Sequence, residues 1–130
     1  MTKARVDLLS AKVLFDAGLT DPACFHSQQS AEKYLKALLE EHDRVIPRTH
    51  DLLVLIDMVT PYIAVRETIR DAAAMLTVHA IEVRYPGTDR GVEDAKDAIS
   101  SAGLVQRWAL SFIGEGDMDE GGTNEDGQGN

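Results

Sequence analysis

The chain has 130 residues, enough for one domain with its own core and too few for two. Apolar residues make up 44% of it and only seven residues are aromatic, which favours an aliphatic, alanine-rich core of packed helices over a β-sandwich. The net charge is −9, but residues 1–114 carry only −3, because six acidic residues lie in a C-terminal stretch without lysine or arginine. This balance excludes a strongly basic nucleic-acid binder.

The first two predicted helices are separated by a glycine. The first, over residues 2–17, has an apolar stripe made of Ala4, Leu8, Ala11 and Phe15 and widened by Leu9 and Val13. Gly18 is expected to end it. Asp21 is an N-cap residue followed by Pro22 at the first helical position, so the second helix is predicted to begin there and to end near Glu41.

The second predicted helix has an apolar side and a polar side. At 3.6 residues per turn, the apolar side consists of Cys24, Ala31, Leu35, Leu38 and Leu39, with Gln28 in the same arc, and the polar side consists of His26, Gln29, Lys33 and Lys36. A helix used only for packing does not need that second face. The polar side is therefore either a solvated surface or a place where a ligand binds.

The rest of the chain up to residue 83 predicts a loop and two more helices. Residues 42–48 have no sustained period and include a proline, which indicates a loop. Thr49 is expected to cap a third helix of about ten residues that stops at Pro61. The apolar pattern resumes over residues 63–83, which predicts a fourth helix that ends before Tyr85-Pro86-Gly87.

A fifth helix is predicted to open at residues 89–91 and to end at Gly114. Short connections make sequential helices neighbours, so residues 1–114 are expected to form an all-α, five-helix antiparallel up-and-down bundle. Residues 115–130 are rich in Gly, Asp, Glu and Asn and have no apolar period, which predicts a disordered acidic tail.

The sequence motifs exclude several kinds of functional site and of cellular location. The four histidines lack the cysteine or carboxylate spacing of a zinc site, and no glycine-rich phosphate loop is present, so we expect neither a metal nor a cofactor. The single cysteine, Cys24, lies in an apolar stripe and is typical of a buried thiol in a reducing compartment. The N-terminus lacks the layout of a signal peptide, and no apolar run reaches membrane-spanning length, so a cytoplasmic protein is expected.

Basic and polar residues gather at the predicted helix ends: Arg44, Arg48, His50, Arg84 and Tyr85. Arg84 either caps the fourth helix, where its dipole favours a cation, or contacts a ligand. Tyr85 either closes the core or presents a flat ring to a base. His50 either ties its loop to the bundle by a hydrogen bond, or acts as a general acid or base on a phosphodiester held by Arg44.

Three segments resemble the HEPN family of small helical domains: residues 24–38, Arg48-Thr49-His50-Asp51-Leu52 and Arg84-Tyr85-Pro86-Gly87. The resemblance covers roughly residues 3–113. It implies a short up-and-down bundle, usually a homodimer, that binds nucleotides or RNA. Members are often encoded with a minimal nucleotidyltransferase as a toxin and antitoxin pair, and many are metal-independent ribonucleases.

Ribonuclease members of the family carry an arginine, four to six other residues and a histidine near the end of the fourth helix. Here the matching positions after Arg84 are Asp89, Arg90 and Gly91, and the one pair with the right spacing, Arg44 and His50, precedes the third helix. This departure favours a binding module, with a shared cleft lined by His26, Gln29, Lys33, Arg48, His50, Arg84 and Tyr85. The alternatives are a ribonuclease that uses His50 with Arg44 or Arg84, and a purely structural helical dimer.

Overall fold

The computed structural model describes residues 2–81 and 91–113. These residues form five helices and no strand: α1 (Lys3–Asp16), α2 (Thr20–Glu41), α3 (Leu52–Val59), α4 (Glu67–Ile81) and α5 (Val92–Ile113). The predicted all-α, five-helix antiparallel bundle is confirmed. The segment that includes Arg84, Tyr85 and the predicted end of the fourth helix lies outside the described residues, as does the predicted tail 115–130. None of the five helices combines the length and apolarity needed to cross a bilayer.

Helix α2 lies at the centre of the bundle and packs against each of the other four helices. Its predicted apolar side is confirmed, since Ala31, Leu35 and Leu39 are fully buried and Leu38 is 1% exposed. Burial of one leucine side chain contributes about 1.5 to 3 kcal/mol, so this stripe is a main source of stability. The polar side of α2 is thereby held in a fixed orientation relative to α1 and to the loop before α3.

The connection between α1 and α2 is a tight, glycine-dependent turn. Gly18 has φ 82°, a left-handed conformation that costs glycine little. Its N–H donates to the Phe15 carbonyl at 2.9 Å, and the N–H of Leu19 donates to the Leu14 carbonyl at 2.9 Å. This Schellman pair of bonds ends α1, as the sequence predicts for Gly18. The Ser30 hydroxyl then joins the two helices by donating to the Ala4 carbonyl at 2.7 Å.

Two predicted helix caps are wrong. Helix α2 begins at Thr20 after Leu19, which makes no side-chain capping bond, and Asp21 lies inside the first turn. Its carboxylate is favourable there because the helix N-terminus carries partial positive charge. Helix α3 is capped by Asp51, whose Oδ1 accepts the Leu53 N–H at 3.0 Å, while the Thr49 hydroxyl accepts the Asp51 N–H at 3.1 Å.

The fourth helix begins four residues later than predicted, at Glu67 instead of residue 63. Ile63 is buried, but it belongs to the turn after α3, where its N–H donates to the Val59 carbonyl at 3.0 Å. The following segment is held to α5, because the Trp108 indole N–H donates to the Ala64 carbonyl at 3.4 Å. An apolar residue needed by the core was therefore mistaken for the first turn of a helix.

The widened stripe predicted for α1 is also wrong. Leu9 and Val13 are 52% and 60% exposed, and Val6 beside them is 44% exposed. Helix α1 packs on α2 and α5, and the side that carries Ala4, Leu8 and Ala11 is the side they cover. An apolar surface thus remains on the outer side of α1.

Candidate functional site

A buried carboxylate on α1 joins two groups of the polar side of α2. The Asp7 side chain is 11% exposed, and its Oδ1 lies 2.9 Å from Nδ1 of His26. Its second oxygen accepts a hydrogen bond from the Lys33 ammonium. The His26 and Lys33 side chains are 33% and 37% exposed, so both reach solvent above the carboxylate that holds them.

A second buried carboxylate, Glu32, lies on α2 itself and is held by a similar set of partners. Its side chain is 6% exposed, and its oxygens accept from the Lys36 ammonium at 2.9 Å and the Gln28 amide at 3.2 Å. Nδ1 of His50, from the loop before α3, lies 2.9 Å from the same carboxylate. Each carboxylate therefore holds one histidine and one lysine.

Glu32 remains ionised in spite of its burial. Loss of solvation raises the pKa of the carboxyl, but hydrogen bonds from Lys36, His50 and Gln28 lower it more. The net effect holds the pKa of Glu32 below its ordinary value of 4.5. The carboxylate is thus charged near neutral pH, and it keeps its partners in place electrostatically.

Gln28 and Gln29 extend the Glu32 cluster along the helix and into the loop. The Gln28 amide also donates to the His50 carbonyl at 3.0 Å, and the Gln29 amide donates to the Gln28 side-chain oxygen at 2.9 Å. Gln28, which the sequence pattern groups with the apolar arc, is 2% exposed. Its buried side-chain amide is hydrogen-bonded, as buried polar groups usually are. The side chain and backbone of His50 both tie the loop to α2, as one of the two interpretations of this residue predicted.

The predicted site residues fall into three groups. His26, Gln29, Lys33 and His50 belong to the two carboxylate clusters on α2. Arg48 is exposed in the loop two residues before His50. The guanidinium of Arg44 lies over the Tyr62 ring at 5.7 Å, and the His42 ring stacks on the same tyrosine at 4.8 Å. Arg84 and Tyr85 lie outside the described residues.

Sequence reasoning missed both carboxylates that organise the site. Asp7 interrupts the stripe of Ala4, Leu8 and Ala11, and a charged residue inside an apolar stripe signals a buried, paired group. Glu32 lies four residues after Gln28 and four before Lys36, a spacing that places the three side chains on neighbouring turns. Both signals are present in the sequence, but only the fold supplies His26, Lys33 and His50 as their partners.

The solvent side of this face presents hydrogen-bond donors. The carboxylates lie underneath, whereas Lys33, Lys36 and the imidazole of His50, whose side chain is 79% exposed, lie outermost. The two lysines offset the two carboxylates, and the exposed Arg48 adds a positive charge two residues before His50. We call these residues, Asp7, His26, Gln28, Gln29, Glu32, Lys33, Lys36, Arg48 and His50, the α2 face. Among the described residues, no three His, Cys, Asp or Glu side chains are grouped to hold a metal ion.

The chain is a small all-α domain: five helices form a bundle, and the central helix carries a buried polar network. The model of the HEPN domain matches residues 1–112, and the chain belongs to the HEPN family. No curated protein matches it significantly.

Three solved structures are similar to this chain. TT1696 from Thermus thermophilus is 26% identical with a TM-score of 0.74, and the match covers 84% of this chain and 91% of that one. The archaeal HEPN homologue ST0689 is also 26% identical, with a TM-score of 0.71 and coverage of 84% and 90%. The HEPN domain protein tm0613 from Thermotoga maritima is 21% identical with a TM-score of 0.71, covers 86% and 94%, and supports the fold alone.

Proposed function

We propose that the α2 face binds the phosphate groups of a nucleotide or of RNA. The observation that carries this proposal is the layering of the face, with lysine, histidine and arginine outermost and carboxylates buried beneath. An incoming phosphate meets N–H donors before it meets any carboxylate. The donors are already oriented by Asp7 and Glu32, so less side-chain freedom is lost on binding.

The affinity that we expect of the α2 face for a single phosphate group is modest. A hydrogen bond to a charged group contributes about 1.5 to 3 kcal/mol, and two such contacts give about 4 kcal/mol, which corresponds to a Kd of about 1 mM. A longer ligand such as RNA gains further contacts from neighbouring phosphates. Binding is expected to weaken as salt rises, because the contacts are ionic.

The test is titration of the full chain with ATP and with a short single-stranded RNA, followed by calorimetry and by the shift in Tm. Arg48→Ala removes an exposed arginine that makes no ion pair with the described residues, so the fold should be unchanged while affinity falls about 10-fold. Lys33→Met should lower affinity as well, with its effect on stability measured in parallel. Lys96→Ala, exposed on α5, is the matched control and should bind like the wild type.

Two results would contradict the proposal. One is the absence of a Tm shift at 10 mM ATP together with no RNA binding at low salt. The other is binding that Arg48→Ala and Lys33→Met leave unchanged. Arg84→Ala, at the family-like Arg84-Tyr85 pair, extends the same test to the segment outside the described residues.

We also propose the partners that the family implies. A minimal nucleotidyltransferase acts with this chain as a toxin and antitoxin pair, and the chain itself is a homodimer. Co-expression of the full chain with a nucleotidyltransferase from the neighbouring reading frame tests the first statement, since a stable complex should co-purify. The purely structural dimer remains the contrasting case, and it predicts neither ligand binding nor RNA cleavage.

A second candidate function, a metal-independent ribonuclease, is favoured by the pairing of Glu32 with His50. A proton on Nδ1 of His50 is donated to the carboxylate at 2.9 Å, which leaves Nε2 of the exposed ring able to take a proton. In this scheme His50 removes the proton of a ribose 2′-hydroxyl. The 2′-oxygen forms a bond to phosphorus as the bond to the 5′-oxygen breaks, which gives a 2′,3′-cyclic phosphate, and the leaving oxygen takes a proton from water. Arg44 or Arg84 would stabilise the phosphate charge.

RNA cleavage by the purified chain in EDTA separates the two functions. Cleavage that His50→Ala abolishes and Glu32→Gln slows would establish the enzyme, provided that both variants remain folded by circular dichroism. Arg44→Ala and Arg84→Ala then show which arginine contributes. Intact RNA under these conditions refutes the ribonuclease and leaves the binding proposal standing.

A further inference from the structure

An apolar surface with no neighbour among the described helices runs along α1. Val6, Leu9 and Val13, which we call the α1 stripe, are 44%, 52% and 60% exposed. Their spacing of three and four residues places them in a single line along the helix. A hollow of about 370 Å³ lies beside this line and is bordered by Ser10, Leu14 and His26. An exposed apolar surface of this kind is typical of a contact with another protein.

We propose that the α1 stripe packs antiparallel against the α1 stripe of a second copy of this chain. The stripe is symmetric about a point between Leu9 and Ser10. A two-fold axis through that point places Val6 opposite Val13 of the partner subunit, so the same three residues form both halves of the contact. A two-fold interface uses the same residues from both copies, and the stripe meets this condition.

Charge selects the antiparallel orientation. Lys3 is exposed at the N-terminal end of α1, and Asp16 is exposed at its C-terminal end. An antiparallel pair brings the basic end of one helix beside the acidic end of the other, whereas a parallel pair brings like charges together. Antiparallel helix dipoles favour the same orientation.

The contact also reaches the α2 face. His26, which is held by Asp7, borders the hollow beside the stripe. Two copies joined through α1 therefore place their Asp7 clusters on either side of one seam. This inference rests on the proposed homodimer and not on phosphate binding, so each can fail without the other.

The first test is the mass of the full chain in light scattering. The wild type is expected at the mass of two chains, and Leu9→Glu at the mass of one, with a dimer Kd raised at least 100-fold. Val54→Glu replaces an apolar residue of similar exposure, 42%, on α3 and should remain a dimer. Circular dichroism verifies the fold of both variants. A monomeric wild type refutes the dimer itself, and a dimer that Leu9→Glu leaves intact refutes the α1 surface alone.

Cysteine crosslinking tests the orientation. The native Cys24 is buried, so an introduced thiol is the reactive one. Under oxidation, Leu9→Cys near the axis should link to itself, and Val6→Cys should link to Val13→Cys when the two variants are mixed. Val6→Cys alone should not link, because about 10 Å along the helix separates the two copies of that position. A Val6→Cys homodimer with no mixed product would refute the antiparallel arrangement.

Discussion

Nδ1 of His50 lies 2.9 Å from the carboxylate of Glu32, although 18 residues separate the two in sequence. This contact fixes the end of the loop that enters α3 against the middle of α2. The same carboxylate holds Lys36 and Gln28. One buried charge therefore sets the positions of three polar side chains.

Replacing Glu32 with glutamine should destabilise the fold by about 1 to 3 kcal/mol, because a charged acceptor of three hydrogen bonds is lost from a buried position. Urea unfolding at pH 7 measures the change. Glu40→Gln, an exposed glutamate on the same helix, is the control and should change the free energy of unfolding by less than about 0.5 kcal/mol. Equal effects of the two substitutions would show that Glu32 is not a structural anchor.

The free energy of unfolding should fall at acidic pH, because Glu32 becomes protonated. The pKa of this carboxyl is lower in the folded chain than its ordinary value of 4.5, so the folded state favours the charged form. The resulting stability is fully present above the unfolded-state pKa and is lost as pH falls through the lowered folded-state pKa. Unfolding free energies measured from pH 7 down to pH 3 should therefore converge for the wild type and Glu32→Gln. A constant difference between them across that range would contradict this origin.

The five-helix architecture could be predicted from the sequence, because the spacing of the apolar residues and the positions of the prolines indicate where helices begin and end. Gly18 shows this most clearly, since the residue predicted to end α1 does so with φ 82°. The start of α4 was not accessible, because an apolar residue such as Ile63 satisfies the core equally well from a turn or from a helix. Local pattern identifies burial more reliably than it identifies the backbone conformation that achieves it.

Only part of the candidate site could be predicted from the sequence. The polar side of α2 stood out as a surface, and His26, Lys33 and His50 were identified from it and from the adjoining loop. The pairing of His26 and Lys33 with Asp7, 19 and 26 residues away, was missed because it is a property of packing and not of spacing. The pairing of His50 with Glu32, 18 residues away, was missed for the same reason. The exposure of Leu9 and Val13 was missed for the same reason, since no sequence pattern tells which flank of a wide apolar stripe its neighbours cover.

Replacing Asp7 with asparagine should have opposite effects on stability and on nucleotide binding. The fold should lose about 1 to 2 kcal/mol, because the partner of His26 and Lys33 loses its charge. ATP should bind about 3- to 10-fold more tightly, because removal of the competing anion beside Lys33 outweighs the loss of orientation that Asp7 provides. Urea unfolding and calorimetry measure the two effects, with Asp97→Asn, exposed on α5, as the control. Weaker ATP binding by a folded Asp7→Asn would mean that orientation of Lys33 matters more than its free charge.

Two residues after the end of α2, Asp43 has a backbone conformation that favours glycine, and a stabilising substitution follows from this. Asp43 has φ 56°, and its N–H donates to the Glu40 carbonyl at 3.0 Å while the Arg44 N–H donates to the Leu39 carbonyl at 3.0 Å. The same pair of bonds ends α1 at Gly18, where glycine already supplies the left-handed conformation. Asp43→Gly should therefore raise the free energy of unfolding by about 0.5 to 1 kcal/mol, and Gly18→Ala should lower it by about 1 kcal/mol. Urea unfolding of both variants checks this pair of opposite signs, and a destabilised Asp43→Gly would show that the aspartate side chain stabilises the turn more than its strained backbone costs.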